Sequence, residues 1–214
     1  MRSKFDEQLH LLNQEMMQMG SMIEDSIQKA INALIDQNVE LAKKIMDNDT
    51  QIDHEQKKIE NLCFNLLMQH QPVAKDLRQI SAALKMITDM ERIGDQAEDI
   101  AEIICFLKEE DRKEDILLPE MAKASIGMVT ESVDAFVKRD IMLAEKVIKD
   151  DDIVDRYFDR VKEDLIRKIA DDPKDGEYAI DLLIIAKYYE RIADHAVNIA
   201  KWVIFSVTGV HKEE

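Results

Sequence analysis

The chain is written twice. "ALIDQNVELAKKIMDNDTQID" at 33–53 matches "AFVKRDIMLAEKVIKDDDIVD" at 135–155 with an offset of 102 residues. Pro72 pairs with Pro173 at 101 and Glu91 with Glu190 at 99. Over Glu91–Ala101 against Glu190–Ala200, seven of eleven positions are identical. A repeat of about 100 residues obliges each copy to build the same local structure, with the drift in offset absorbed by loops.

What one copy builds follows from its periodicity. Leu9, Leu12, Met16, Met19, Ile23, Ile27, Ala30 and Leu34 recur at three and four, the spacing of one helix face. Only 5 glycines and 3 prolines interrupt the chain, and aromatics are 5% of it, which suits long helices better than strands and their turns. The prolines fall at breaks in the pattern: Pro72 in "QHQPVAKD", Pro119 in "ILLPEM" and Pro173 in "DDPKDG". Six helices are expected, at 4–36, 39–69, 74–107, 119–138, 141–170 and 177–207. The predicted fold is all-α, two tandem, internally duplicated three-helix bundles: 1–107, then the charged linker "KEEDRKEDILL" at 108–118, then 119–214.

Charge narrows the function. A net charge of −16 repels phosphodiester backbones and anionic lipid, so nucleic acid and direct membrane insertion are not expected. Cations and basic protein surfaces are the natural partners. "MRSKFDEQLHLL" lacks a signal-peptide core, and the longest apolar run, "WVIFSV" at 202–207, is far short of a span. That run is expected either to cap the core or to touch a partner. Cys63 and Cys105 read as buried, reduced thiols, and the expected compartment is the cytoplasm. The glycines are isolated, so no phosphate-cradling loop is present. Glu7-Gln-Leu-His10 is the only Glu-x-x-His, and no convincing nucleophile or general base stands out. The chain is expected not to be an enzyme.

The acids hold the remaining information. At about 100° per residue, Ile80, Leu84 and Ile87 fall within about 40° of Glu91, and Asp95 falls about 40° to its other side. Glu91 and Asp95 therefore continue an apolar stripe instead of opposing it, and Glu190 and Asp194 repeat the arrangement. Acids at i and i+4 repel each other, and more so beside a packed stripe. Compensation comes either from Arg92 and Arg191, each about 100° round from its glutamate, or from a bound cation. Asp49 and Asp53 form a second pair, copied as Asp151 and Asp155. Each half thus owns two acid pairs on different helices, which can meet across a groove. His195 points about 140° from Glu190 and reads as a surface or packing residue.

"QPVAKDLRQISAALKMITDMERIGDQAEDIAE", then "YYERIADHAVNIAKWVI", resembles the PhoU family of phosphate-transport regulators, and the likeness extends to "MGSMIEDSIQKAINAL" near the start. The resemblance implies multinuclear metal sites of divalent or trivalent ions (iron, zinc, manganese or magnesium) on the bundle surfaces. Carried onto matching positions, the ligands are Glu91, Asp95, Asp49 and Asp53, and Glu190, Asp194, Asp151 and Asp155. Asp99 extends the first motif; its copy is Asn198, a weaker ligand, so the two sites need not be alike. The family further implies a cytoplasmic, often dimeric negative regulator of the phosphate response, peripheral to the membrane through its partners. Those partners are the phosphate ABC transporter, through its ATPase subunit, and the phosphate sensor histidine kinase. The rival readings are a metal-dependent helical-bundle enzyme and a purely structural scaffold.

Overall fold

A computed structural model describes residues 2–70, 72–107 and 117–210. Six long helices account for nearly all of them: α1 (Arg2–Ile35), α2 (Val39–His70), α3 (Ala74–Phe106), α4 (Leu118–Lys138), α5 (Ile141–Asp171) and α6 (Gly176–Thr208). Every boundary lies within two residues of the sequence expectation. The expected linker at 108–118 lies almost wholly outside the described residues. One element was not anticipated, a 3-10 turn at Pro173–Asp175, started by a proline and capped by the Asp172 carboxylate, which accepts from the Lys174 N–H at 3.0 Å.

The duplication is visible in the turns. α1 and α4 both end on a left-handed residue that is not glycine, Gln37 at φ 49° and Arg139 at φ 55°. The next residue then caps the following helix. Asn38 Oδ1 accepts from the Leu41 N–H at 3.0 Å, and Asp140 Oδ1 from the Leu143 N–H at 3.1 Å. A left-handed conformation at a non-glycine residue costs about 1 kcal/mol or more. At Arg139 tertiary bonds offset it: the guanidinium donates to Gln79 Oε1 at 3.0 Å and to the Ser206 carbonyl at 3.5 Å, tying the turn to α3 and α6.

Within each half three helices pack on one another, and the halves meet along α3 with α6 and α1 with α4. The α3–α6 contact is antiparallel: Asp89 meets His195 and Asn198, while Asp99, further along α3, meets the earlier Tyr188. α1 and α4 also run antiparallel. A Cβ at Gly20 would stand 3.3 Å from both Val133 methyls, and Thr130 donates to Glu24 at 3.0 Å. The two copies are therefore related by an approximate two-fold axis passing near Gly94 and Ala193.

Met16 and Met19 are fully buried core, whereas Met17 is exposed. Cys63 is buried and free, and burial pushes its thiol up to about 12; Cys105 is free and only half-buried. Val203 and Ile204 of the "WVIFSV" run are buried, with Trp202 and Phe205 edge-to-face at 5.6 Å, so the run closes the core. No helix among the described residues is long and apolar enough to cross a membrane. An ion cluster joins α1 to α2: the buried Glu15 and Glu55, 9% and 6% exposed, share the ammonium of the exposed Lys58.

Candidate metal centres

Each half sets the end of one helix hairpin against a motif helix, and there the acid pairs meet. In the first half Asp49 and Asp53 on α2 face Glu91 and Asp95 on α3. The backbone approach depends on Gly94: a Cβ there would lie 3.1 Å from Ile52 Cδ1 and 3.4 Å from Asp49 Oδ1. Burial, together with the charges of Asp95, Asp53 and Asp99, raises the Asp49 carboxyl from its ordinary 3.8 to about 6. Glu91 and Asp95 are pushed up as well, first by burial and then by their acid neighbours. Arg92 opposes both shifts as a nearby charge, without forming an ion pair among the described residues.

The second half repeats the arrangement. Burial and the charges of Asp155, Asp194 and Glu190 raise Asp151 to about 6. Asp155 and Asp194 are raised by burial and by Glu190. Asp151 Oδ1 and Glu190 Oε2 are buried and accept no hydrogen bond. Lys187 stands in ion-pair contact with that glutamate oxygen, at an angle that leaves no hydrogen bond, and also lies 5.5 Å over the Phe158 ring.

Three residues join the sites unforeseen. Glu98 belongs to the first cluster, raised by burial and by Asp49, Asp95 and Asp99. Angle counting places it about 20° from Glu91, on the same stripe. Its copy is the apolar Val197, so a search for duplicated acids passes over it. Lys187 escapes for the same reason, since Thr88 stands at its place in the first half. Asp89 is the third. His195 Nδ1 meets Asp89 Oδ1 at 2.9 Å and the Asn198 amide donates to it at 3.3 Å, so His195 serves helix packing, as its angle indicated. Asn198 accordingly spends its amide on α3 instead of on the acid pair. Asp99 bridges the first cluster and Tyr188 of α6.

The donor set is all carboxylate oxygen, which suits hard or borderline cations. Asp151 Oδ1, buried without a hydrogen bond, calls for a positive partner, whereas Glu190 Oε2 already meets Lys187. Among the described residues no three His, Cys, Asp or Glu side chains already close around a point at metal-binding distance. A cation would have to draw the two helices' carboxylates inward.

Beside the α3–α6 crossing, on the side of the second cluster, α3 and α6 flank a cleft of about 650 Å³. Arg92, Arg191, Lys201, His195 and Gln96 line it, together with Asp95, Asp151 and Asp194.

Fold and site together define a class: a tandem repeat of three-helix units, each carrying a cluster of carboxylates from two helices. The chain belongs to the PhoU family, whose domain model matches it twice, at 16–104 and 118–203. It is 36% identical over 211 residues to the phosphate-specific transport system accessory protein PhoU homolog of Clostridium acetobutylicum, covering 97% of this chain and 96% of that protein. It is 32% identical over 212 residues to PhoU homolog 1 of Thermotoga maritima, covering 98% and 91%. The crystal structure of PhoU from Pseudomonas aeruginosa superposes with a TM-score of 0.89 at 33% identity, over 96% of this chain and 100% of that one. The phosphate transport system regulatory protein PhoU from Streptococcus pneumoniae gives 0.88 at 29% identity, over 98% and 100%.

Proposed function

We propose that this chain is a metal-binding accessory regulator of phosphate uptake, acting without catalysis of its own. The relatives' names supply the phosphate-transport role. The metal reading rests on one contrast within the molecule. Where Glu15 and Glu55 are buried for structural reasons, Lys58 sits between them. The six acids Asp49, Asp53, Glu91, Asp95, Glu98 and Asp99 crowd one another with no Lys or Arg ion pair among the described residues. Carboxylates held together without a counter-ion are poised for a cation.

In this reading Asp49, Asp53, Glu91 and Asp95, with Glu98 and Asp99 beside them, hold the first metal centre; Asp151, Asp155, Glu190 and Asp194 hold the second. Metal neutralises the acids and fixes the groove between the helices in the shape that a partner recognises. The partners are the ATPase subunit of the phosphate ABC transporter and the phosphate sensor histidine kinase, met by a homodimer at the cytoplasmic face. The acidic surface favours basic protein patches. The test is paired. Glu91→Ala with Asp95→Ala should lower bound metal and weaken capture of both partners in a pull-down. Unchanged metal content and unchanged capture would remove the reading.

A further inference from the structure

We propose that the cleft between α3 and α6 is an oxyanion site, in which Arg92 and Arg191 grip a tetrahedral anion of the inorganic phosphate type from opposite sides and Lys201 adds a third cation. The preference for phosphate follows from the cleft's chemistry; its biological meaning rests on the proposed function.

Three observations carry the assignment. First, in a chain with a net charge of −16, Arg92, Arg191 and Lys201 converge on one cleft and make neither ion pair nor hydrogen bond with the described residues. Second, Arg92 and Arg191 are the same residue of the two "ERI" motifs, and the antiparallel α3–α6 crossing brings them to one opening. An anion in the cleft meets one guanidinium fork from each repeat, the planar geometry that suits phosphate oxygens. Third, Gln96 also lines the cleft; it is only 6% exposed, and its Oε1 is buried with no partner. The two ends of a carboxamide are nearly the same size, so turning it over offers an N–H to the cleft.

The cleft's lining favours hydrogen phosphate over sulfate. Hydrogen phosphate carries an O–H that sulfate lacks, and Asp151 Oδ1 is a buried acceptor without a donor on the same wall. Three cations face three acids, Asp95, Asp151 and Asp194, so in the metal-free protein the field available to an anion is largely cancelled. Neutralising Asp95 and Asp194 by substitution releases it and leaves Asp151 free as the acceptor.

The experiment uses the chelator-treated full chain, with inorganic phosphate and sulfate as probes, read by calorimetry and phosphorus NMR. Asp95→Asn with Asp194→Asn should bind phosphate at least about tenfold more tightly than the unaltered chain, and sulfate more weakly than phosphate. Adding Arg92→Gln and Arg191→Gln should undo about tenfold of that affinity, with circular dichroism verifying that each variant is folded. Phosphate binding indifferent to the two arginines, or no saturation by about 10 mM, would overturn the site. Sulfate binding as tight as phosphate would overturn the role of Asp151. These arms need no metal, so failure of the metal centres would be read separately, by elemental analysis.

Discussion

Asp49→Asn is expected to stabilise the metal-free protein, although it removes a charged group from a mostly polar helix. In the folded chain the Asp49 carboxyl sits at about 6 instead of 3.8, because burial and three acid neighbours oppose its charge. At about pH 7 it is ionised in both states, so the full penalty is present. A shift of that size corresponds to about 3 kcal/mol, and its half-buried position reduces this through solvent screening to about 1–2 kcal/mol. Asparagine keeps the shape and removes the charge. For a chain of this size the gain amounts to roughly 3–6 °C in Tm. The assay is a far-UV circular dichroism melt in chelator at low salt, where acid repulsion is least screened. The same melt with added metal should reverse the order, the unaltered chain gaining more than the variant. Equal or lower stability of Asp49→Asn in chelator would mean that the acids are already compensated, and the case for a missing cation would collapse.

The pH dependence follows from the same shifts. Asp49 and Asp151 have folded values near 6, above the unfolded 3.8, so between about pH 6 and pH 4 the native state binds more protons. These two groups therefore make the metal-free protein more stable as pH falls from 7 toward 5, a trend that urea titrations at several pH values would reveal and that metal should abolish. Lys187→Met removes the cation held against Glu190, so metal affinity at the second centre should rise about two- to fivefold while the first centre is unchanged, read by calorimetry on chains with only one centre intact. Gly20→Val forces a branched side chain onto Val133, 3.3 Å from where the Cβ falls, and should cost about 1–3 kcal/mol in urea unfolding, with Gly20→Ala costing less.

The helices were legible because α1 through α6 are long, strongly periodic and written twice; an apolar residue every three or four positions has only one regular reading. The 3-10 turn escaped because three residues carry no period and its proline reads equally well as a plain helix start. Acid pairs at i and i+4 were legible for the opposite reason, as charges placed where the stripe demanded apolar groups. That α2 and α3 would bring Asp49 to Gly94 was not, because crossing geometry depends on side-chain volumes from several helices. Glu98, Lys187 and Asp89 share one cause of concealment: each breaks the duplication, and duplication was the filter that separated signal from an ordinary acidic surface. The departures from symmetry separate the two centres, one purely acidic and closed over a glycine, the other holding its own lysine.

The most direct measurement is metal content after equilibrium dialysis of untagged protein against iron, zinc, manganese and magnesium in turn, with elemental analysis of the retained ions. At least one of these ions should be retained in stoichiometric amount, Asp49→Asn with Asp95→Asn should remove the first centre's share, and Asp151→Asn with Asp194→Asn should remove the second's. Retention no greater than in a protein-free control, or retention untouched by all four substitutions, would contradict the metal reading.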